Sequence, residues 1–171
     1  MFTVHQDGFD VVMKGAGKLD LSGLGSFITG SYNGPGLVYQ NGIQSSLVSP
    51  TLYDLYTGDI FSTNSPDVAG GSQIYSTSSE GAILAFDIEA NKESLLVPSG
   101  YNGTELSTLM RFNGMNLSDF GWSEQGETRT WTLVNGDTIQ LKVIGVPEPT
   151  SGSFLLAGLA CAATGLRRRR T

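Results

Sequence analysis

Before residue 150 the chain offers no run of helix-favouring composition; short alternating apolar and polar segments recur instead between clusters of Gly, Ser, Asn and Pro. Segments of that kind bury one face as strands and reverse at the punctuating residues, which confines the chain to an all-β fold. Glycine supplies 23 of 171 residues and charged residues only 15%, as in a turn-rich β protein.

Phe9, Val11 and Met13 alternate with Asp10, Val12 and Lys14, and Gly15-Ala16-Gly17 then leads to Lys18-Leu19-Asp20-Leu21. Two strands joined by a small-residue bend or bulge are expected there. Residues 23–36 read as loop with at most a short strand at Phe27-Ile28-Thr29, and residues 62–80 as a long polar loop. Further strands are expected at Leu37-Val38-Tyr39, Leu52 to Tyr56, Ile83 to Ile88 and Glu105 to Phe112, with Leu95-Leu96-Val97 running into a turn at Pro98-Ser99-Gly100-Tyr101. Thr128 to Ile144 is a hairpin around Asn135-Gly136-Asp137. A two-residue turn would set Leu133 opposite Thr138. A three-residue turn through Asp137 sets Leu133 opposite Ile139, Trp131 opposite Leu141 and Arg129 opposite Val143; it is preferred because it gathers the apolar set on one face, with Gly136 left-handed. Eight to ten short strands predict a β-sandwich or jelly-roll-like domain over residues 1–146.

Charge divides the chain unevenly. Residues 147–171 hold four Arg and one Glu, which leaves 6 basic against 15 acidic residues in 1–146, a net of −9. An acidic body excludes a nucleic-acid partner, since phosphate binding needs clustered Lys and Arg; it suits a soluble surface, cation binding or a neutral polysaccharide neighbour. The single cysteine, Cys161, lies in the apolar tail, so the body has neither an intrachain disulfide nor a cysteine metal cluster. Met1-Phe2-Thr3-Val4-His5-Gln6-Asp7 has no basic start or apolar run and reads as the middle of a strand; a secretion signal is expected upstream of it.

Residues 150–166 carry no charge, and Arg167, Arg168, Arg169 and Arg170 follow directly. As a helix the 17 residues span about 25 Å, slightly less than a hydrocarbon core of about 30 Å. Modest thinning or arginine snorkelling accommodates the difference. The arginines complement the helix dipole and stay cytoplasmic, so the acidic body lies outside. Pro147 and Pro149 remove backbone donors and keep the residues before them extended, with Glu148 as the one charge between them. An extended segment at the outer membrane face is accessible to a processing enzyme.

These three parts, Val146-Pro147-Glu148-Pro149, the apolar run and Arg167 to Arg170, in that order, resemble the PEP-CTERM sorting signal read by membrane transpeptidase-like exosortases. The resemblance covers residues 147–171 with the motif at 146–149. It extends weakly into the body at Gln6-Asp7-Gly8-Phe9-Asp10-Val11-Val12, Leu96-Val97-Pro98-Ser99-Gly100-Tyr101 and Asp137-Thr138-Ile139-Gln140-Leu141. It implies export, exosortase processing, transient tethering to the cytoplasmic membrane by a single C-terminal transmembrane helix, and a final place at the cell surface or in an exopolysaccharide matrix. It implies no function for the body.

Residues suited to catalysis are few. His5 is the sole histidine, which excludes histidine-pair zinc motifs and leaves a Ser-His-Asp triad only through a residue near the chain's start; a solvent-facing strand histidine is expected. Gly121-Trp122-Ser123-Glu124-Gln125-Gly126 has its second glycine one place late for a nucleophile elbow, and Gly15-Ala16-Gly17-Lys18 lacks the Ser or Thr of a phosphate loop. No carboxylate pair is marked out as glycosidic. Asp54, Asp59, Asn64 and Asp67 offer oxygen ligands in or beside loops, without EF-hand spacing; solvated acidic loops are the expected role. Tyr32, Tyr39, Tyr53, Tyr56, Tyr75 and Tyr101 either cap a small core or form a sugar-stacking platform. The chain is therefore expected to be a non-enzymatic surface or matrix protein without cofactor or bound metal, partnered by an exosortase, by the membrane through its tail and by exopolysaccharide. The alternative is a carbohydrate-binding sandwich delivered by the same route.

Overall fold

The computed structural model describes residues 1–39, 42–45, 51–62, 72–89, 92–122 and 126–145, with Glu89 and Lys92 as backbone. The sorting motif Val146 to Pro149, the apolar segment and Arg167 to Arg170 lie outside these residues, as do Asn64 and Asp67. Among the described residues no helix is long and apolar enough to cross a membrane.

Thirteen strands form in chain order: β1 (Phe2–Asp7), β2 (Asp10–Gly17), β3 (Phe27–Tyr32), β4 (Leu37–Tyr39), β5 (Gly42–Ser45), β6 (Thr51–Thr57), β7 (Ile74–Tyr75), β8 (Ser78–Gly81), β9 (Leu84–Glu89), β10 (Lys92–Pro98), β11 (Leu106–Asn113), β12 (Thr128–Thr132) and β13 (Thr138–Val143). Among the described residues a single 3-10 turn spans Leu117–Phe120, and the strands named are those of the described residues. One sheet has the order β12-β13-β1-β2-β11-β8, and the other β3-β6-β10-β9-β5-β4-β7. The fold is thus all-β and two-sheeted, as the alternation requires.

The sheets meet through aromatic side chains that alternation turns inward. Phe86 on β9 packs 5.0 Å from Trp131 on β12, centroid to centroid, and 5.8 Å from Phe61; Phe86 and Trp131 are both 0% exposed. At one end of the first sheet Phe112, Phe120 and Trp122 form a second run, with Phe120 stacked 4.5 Å from Trp122. Burying groups of this size contributes most of the driving force in a fold without cross-links.

Two local expectations change, and one further strand forms where none is expected. The Gly15-Ala16-Gly17 bend is absent, because β2 runs through Gly17 and Lys18 to Leu21 adds no strand. Gly15 is there for space: a Cβ on it would lie 2.6 Å from Thr108 Cγ2 and 2.7 Å from Phe2 Cε1. Within 62–80, β7 and β8 are strands, made by pairing with β4 and β11; short Ser-rich segments show little alternation of their own. β5 likewise carries no alternating apolar pattern of useful length and owes its form to β4 and β9.

The hairpin keeps its bulged three-residue turn and moves it by one position at each side. Gly136 N–H bonds the Leu133 carbonyl at 2.9 Å, Leu133 N–H bonds the Asp137 carbonyl at 2.7 Å, and Gly136 has φ +91°. The loop is therefore Val134 to Gly136, and Trp131 faces Ile139 while Arg129 faces Leu141. A slip of two residues preserves side-chain parity, so Trp131, Leu133, Ile139, Leu141 and Val143 remain buried together.

The second sheet is strongly curled. β3 and β4 are joined by residues 33–36 alone yet lie five positions apart in the strand order. Flat, five strand spacings would separate them by about 24 Å, whereas the five peptide units from Tyr32 to Leu37 reach about 18 Å at most. The two edges must approach each other across a seam. Consistent with this, Tyr75 at the far edge contributes to raising the ionisation of Tyr32.

Replacing Gly15 with Val should destabilise the protein by about 1–3 kcal/mol through overpacking against Phe2 and Thr108. Urea unfolding followed by the emission of the buried Trp122 and Trp131 checks this, and an unchanged midpoint would refute the steric role of Gly15.

Candidate functional site

The register of the curled sheet sorts the six tyrosines. Tyr56, Leu95, Phe86, Ile43 and Val38 pair across it and are buried, which defines its inner face. By alternation Tyr32, Tyr53, Tyr39 and Tyr75 belong to the outer face. Tyr56 instead packs inward beside Phe27 at 5.3 Å, and Tyr101 rests against the core while its hydroxyl accepts a 2.9 Å bond from Leu19 N–H. The structure thus divides the set, four outward and two inward.

Three of the outer tyrosines lie over glycine, Tyr32 over Gly34 in the adjoining loop and two over a glycine of the neighbouring strand. Gly30 pairs directly with Tyr53, and a Cβ on Gly30 would fall 2.6 Å from the Tyr53 ring carbon Cζ. Gly42 pairs directly with Tyr39 and stands in the same relation to it, 2.7 Å from Cζ. Each ring leans across the neighbouring strand, and the Tyr39 hydroxyl reaches the Phe86 carbonyl at 3.4 Å. A ring lying over backbone covers the glycine that leaves room for it, and Tyr53 and Tyr39 remain half-exposed there. The remaining two rings have hydroxyl partners: Tyr75 donates to Gln73 Oε1 at 2.9 Å and Tyr32 to the Pro35 carbonyl at 3.4 Å. Burial, with Tyr75 nearby, raises the Tyr32 phenol above its ordinary value, so it is neutral at physiological pH.

The outer faces of the two sheets differ in character. The first sheet presents Lys14, Lys142, Glu80, Arg111 and His5. Among the described side chains of the curled sheet's outer face Asp87 is the only charged one, and Ile28, Leu55, Leu96 and Leu37 lie between the tyrosines.

The other sequence candidates are structural in geometry. Asp54 is 4% exposed and accepts from Thr29 Oγ1 (2.9 Å), Ser99 Oγ (3.0 Å) and Gly100 N–H (2.8 Å). Burial alone would raise its carboxyl; the Gly100, Thr29 and Ser99 donors outweigh that and hold it below the usual range. Asp54 is therefore occupied in fixing the Pro98-Ser99-Gly100-Tyr101 turn, where Gly100 is left-handed at φ +73°. Asp59 is exposed, and among the described residues no group of three metal-ligating side chains converges. The Gln6-to-Asp10 stretch is a hairpin clamp. Gln6 Nε2 donates to the Asp10 and Met115 carbonyls at 3.0 Å each, and Arg111 pairs with Asp7 and Asp10 at 3.1 Å. Burial, followed by the Lys14 charge, lowers His5, which is then mostly neutral at pH 7. Its Nδ1 has no hydrogen-bond partner among the described residues. A cleft lined by Phe2, Gly15, Leu84 and Leu106 holds only about 20 Å³, room for one water.

Compared with protein-family models, curated proteins and solved structures, the chain matches none of them.

Asp54→Ala should cost about 1–3 kcal/mol by stranding three donors. Because the folded-state ionisation of Asp54 is depressed, its contribution is present above the unfolded value near 3.9 and disappears as pH falls through the folded one. Denaturation titrations from pH 7 down to 2 should therefore show wild type and variant converging at the acid end; a gap that stays constant across that range would contradict the assignment.

Proposed function

We propose that this protein is an exported, non-enzymatic component of the cell surface or exopolysaccharide matrix, delivered and processed through its C-terminal segment. The observation that carries this reading is the order of three chemically distinct parts in the sequence: the proline-flanked Val146-Pro147-Glu148-Pro149, an uncharged 17-residue stretch, and Arg167 to Arg170. Each part has a separate task. The arginines hold the cytoplasmic side, the apolar stretch resides in the bilayer, and the prolines keep Glu148 on an extended backbone outside it.

The fold supports the proposal by where its last described strand lies in the chain. Ile144 N–H bonds the Val4 carbonyl at 2.8 Å, and Val146 follows two residues later. Val146 to Pro149 are thus encoded immediately after the last described strand, in reach of a processing enzyme on this reading. An exosortase acting near Pro147 to Pro149 would release the acidic body from its basic anchor with the sandwich intact.

The second reading, a carbohydrate-binding sandwich sent by the same route, is favoured by the four outward tyrosines.

In an exosortase-positive host, a secreted form bearing Glu148→Ala should accumulate as the unprocessed, membrane-associated species, while the parent is converted to the shorter form. Mass spectrometry of the mature C-terminus reads the outcome. Processing of the variant at the parental rate would refute recognition through this motif.

A further inference from the structure

Tyr53, Tyr32, Tyr75 and Tyr39 are consecutive neighbours although they come from four strands. Tyr53 is paired with Gly30, so Tyr32, two residues on, is its diagonal neighbour. Tyr75 is paired with Leu37, so Tyr39 is diagonal to it in the same way. Diagonal positions on one face lie about 7–8 Å apart, within reach of aromatic side chains. Between the two pairs runs the seam, and there Tyr32 and Tyr75 are close enough for one to perturb the ionisation of the other. The sequence separates these residues by up to 43 positions, Tyr32 to Tyr75; the curl of the sheet brings the two pairs together at the seam.

We propose that this line of four tyrosines is a binding track for a neutral polysaccharide chain. The ring of a tyrosine offers an apolar, electron-rich face, and a pyranose ring offers a patch of aliphatic C–H groups that packs on such a face while its hydroxyls remain solvated or hydrogen-bonded. Tyr53 and Tyr39 lean over glycine and are held by the backbone beneath, so little conformational freedom is lost on binding. Four ring faces in sequence suit a linear polymer better than a monosaccharide. Gln44, on the same face beside Leu37, can hydrogen-bond to hydroxyls.

Charge selects among possible occupants. The described face carries one carboxylate, from Asp87, and no described cationic side chain, while residues 1–146 bear a net charge of −9. Anionic polymers and nucleic acid are repelled by such a field, and a second copy of the same acidic body is repelled as well. A neutral glycan meets neither penalty. The proposal draws on the exported reading only for where such a polymer would be met, and its test is independent of sorting.

The test is native electrophoresis of the full chain in non-ionic detergent through gels containing hydroxyethylcellulose, galactomannan or xyloglucan, with alginate as the anionic control. Retardation is expected in at least one neutral gel and not in alginate. Tyr53→Ala and the Tyr32→Ala/Tyr75→Ala pair should each weaken binding about tenfold or more, as lost stacking implies. The corresponding Phe variants should remain within about threefold of wild type, and Lys14→Ala/Lys142→Ala on the other sheet should change nothing. Trp122 and Trp131 are buried away from the track, so their emission reports independently that each variant is folded. The proposal is overturned by any of four results: no retardation in the neutral gels, undiminished retardation of the folded Ala variants, retardation by alginate alone, or a concentration-dependent dimer that the Tyr32→Ala/Tyr75→Ala pair dissolves. The last would assign the track to a second copy of the chain.

Discussion

The parallel pairing of β1 with β13 is the constraint on which the rest of the architecture depends. Phe2, Thr3 and Val4 are in register with Leu141, Lys142 and Val143, and β1 pairs along its other edge with β2. The beginning and end of the domain therefore meet in the middle of one sheet. Without β1, Phe2 and Val4 leave the core and β13 loses a neighbour on the side facing β2. Loop closure across almost the whole chain is entropically unfavourable until those contacts form, so the sheet completes late, when the C-terminal hairpin docks. The Met1 amine and carbonyl, both bonded to Ala16, extend that pairing to the chain's first residue.

The two sheets then take different roles. One carries its lysines and Arg111 on the outside, with His5 half-buried among them, and its hairpins are fastened by Gln6 and by Arg111 with Asp7 and Asp10. The other curls until its edges approach, and its outer surface is aromatic and nearly free of described charge. Glycine serves both arrangements by different means. Gly15 makes room for Phe2 inside the core, whereas Gly30 and Gly42 let tyrosine rings lie against backbone on the outside. Asp54 and Glu93 show how the interior tolerates carboxylates: Asp54 receives three donors, and Glu93 Oε2 receives the backbone N–H groups of Ile60 and Phe61 at 2.7 Å each.

Much of the strand content was legible because alternation is local. Leu106, Thr108, Met110 and Phe112 are buried as their spacing predicts, and β4, β6 and β9 fall where apolar runs occur. Errors arose where a strand is made by its neighbours. β5, β7 and β8 carry weak patterns and are ordered by pairing, and Gly15-Ala16-Gly17 imitates a bend because small residues mark both turns and tight packing. In the final hairpin the parity of Trp131, Leu133, Ile139 and Leu141 was readable while the partner identities were not. Either register buries the same side chains, and the placement of the turn over Val134 to Gly136 makes the choice.

By itself the sequence determined the all-β class, the acidic body, and the order of prolines, uncharged stretch and arginines over residues 146–170, since each depends on residues adjacent in the chain. Only the tertiary structure decided which tyrosines belong together. Parity placed each of them on one side of its own strand, yet which side faces the core, and which strands become neighbours, follow from long-range pairing that no local pattern encodes. The curl of the β3-to-β7 sheet, forced by the short link from Tyr32 to Leu37, brings the Tyr53–Tyr32 and Tyr75–Tyr39 diagonal pairs from opposite edges to one seam.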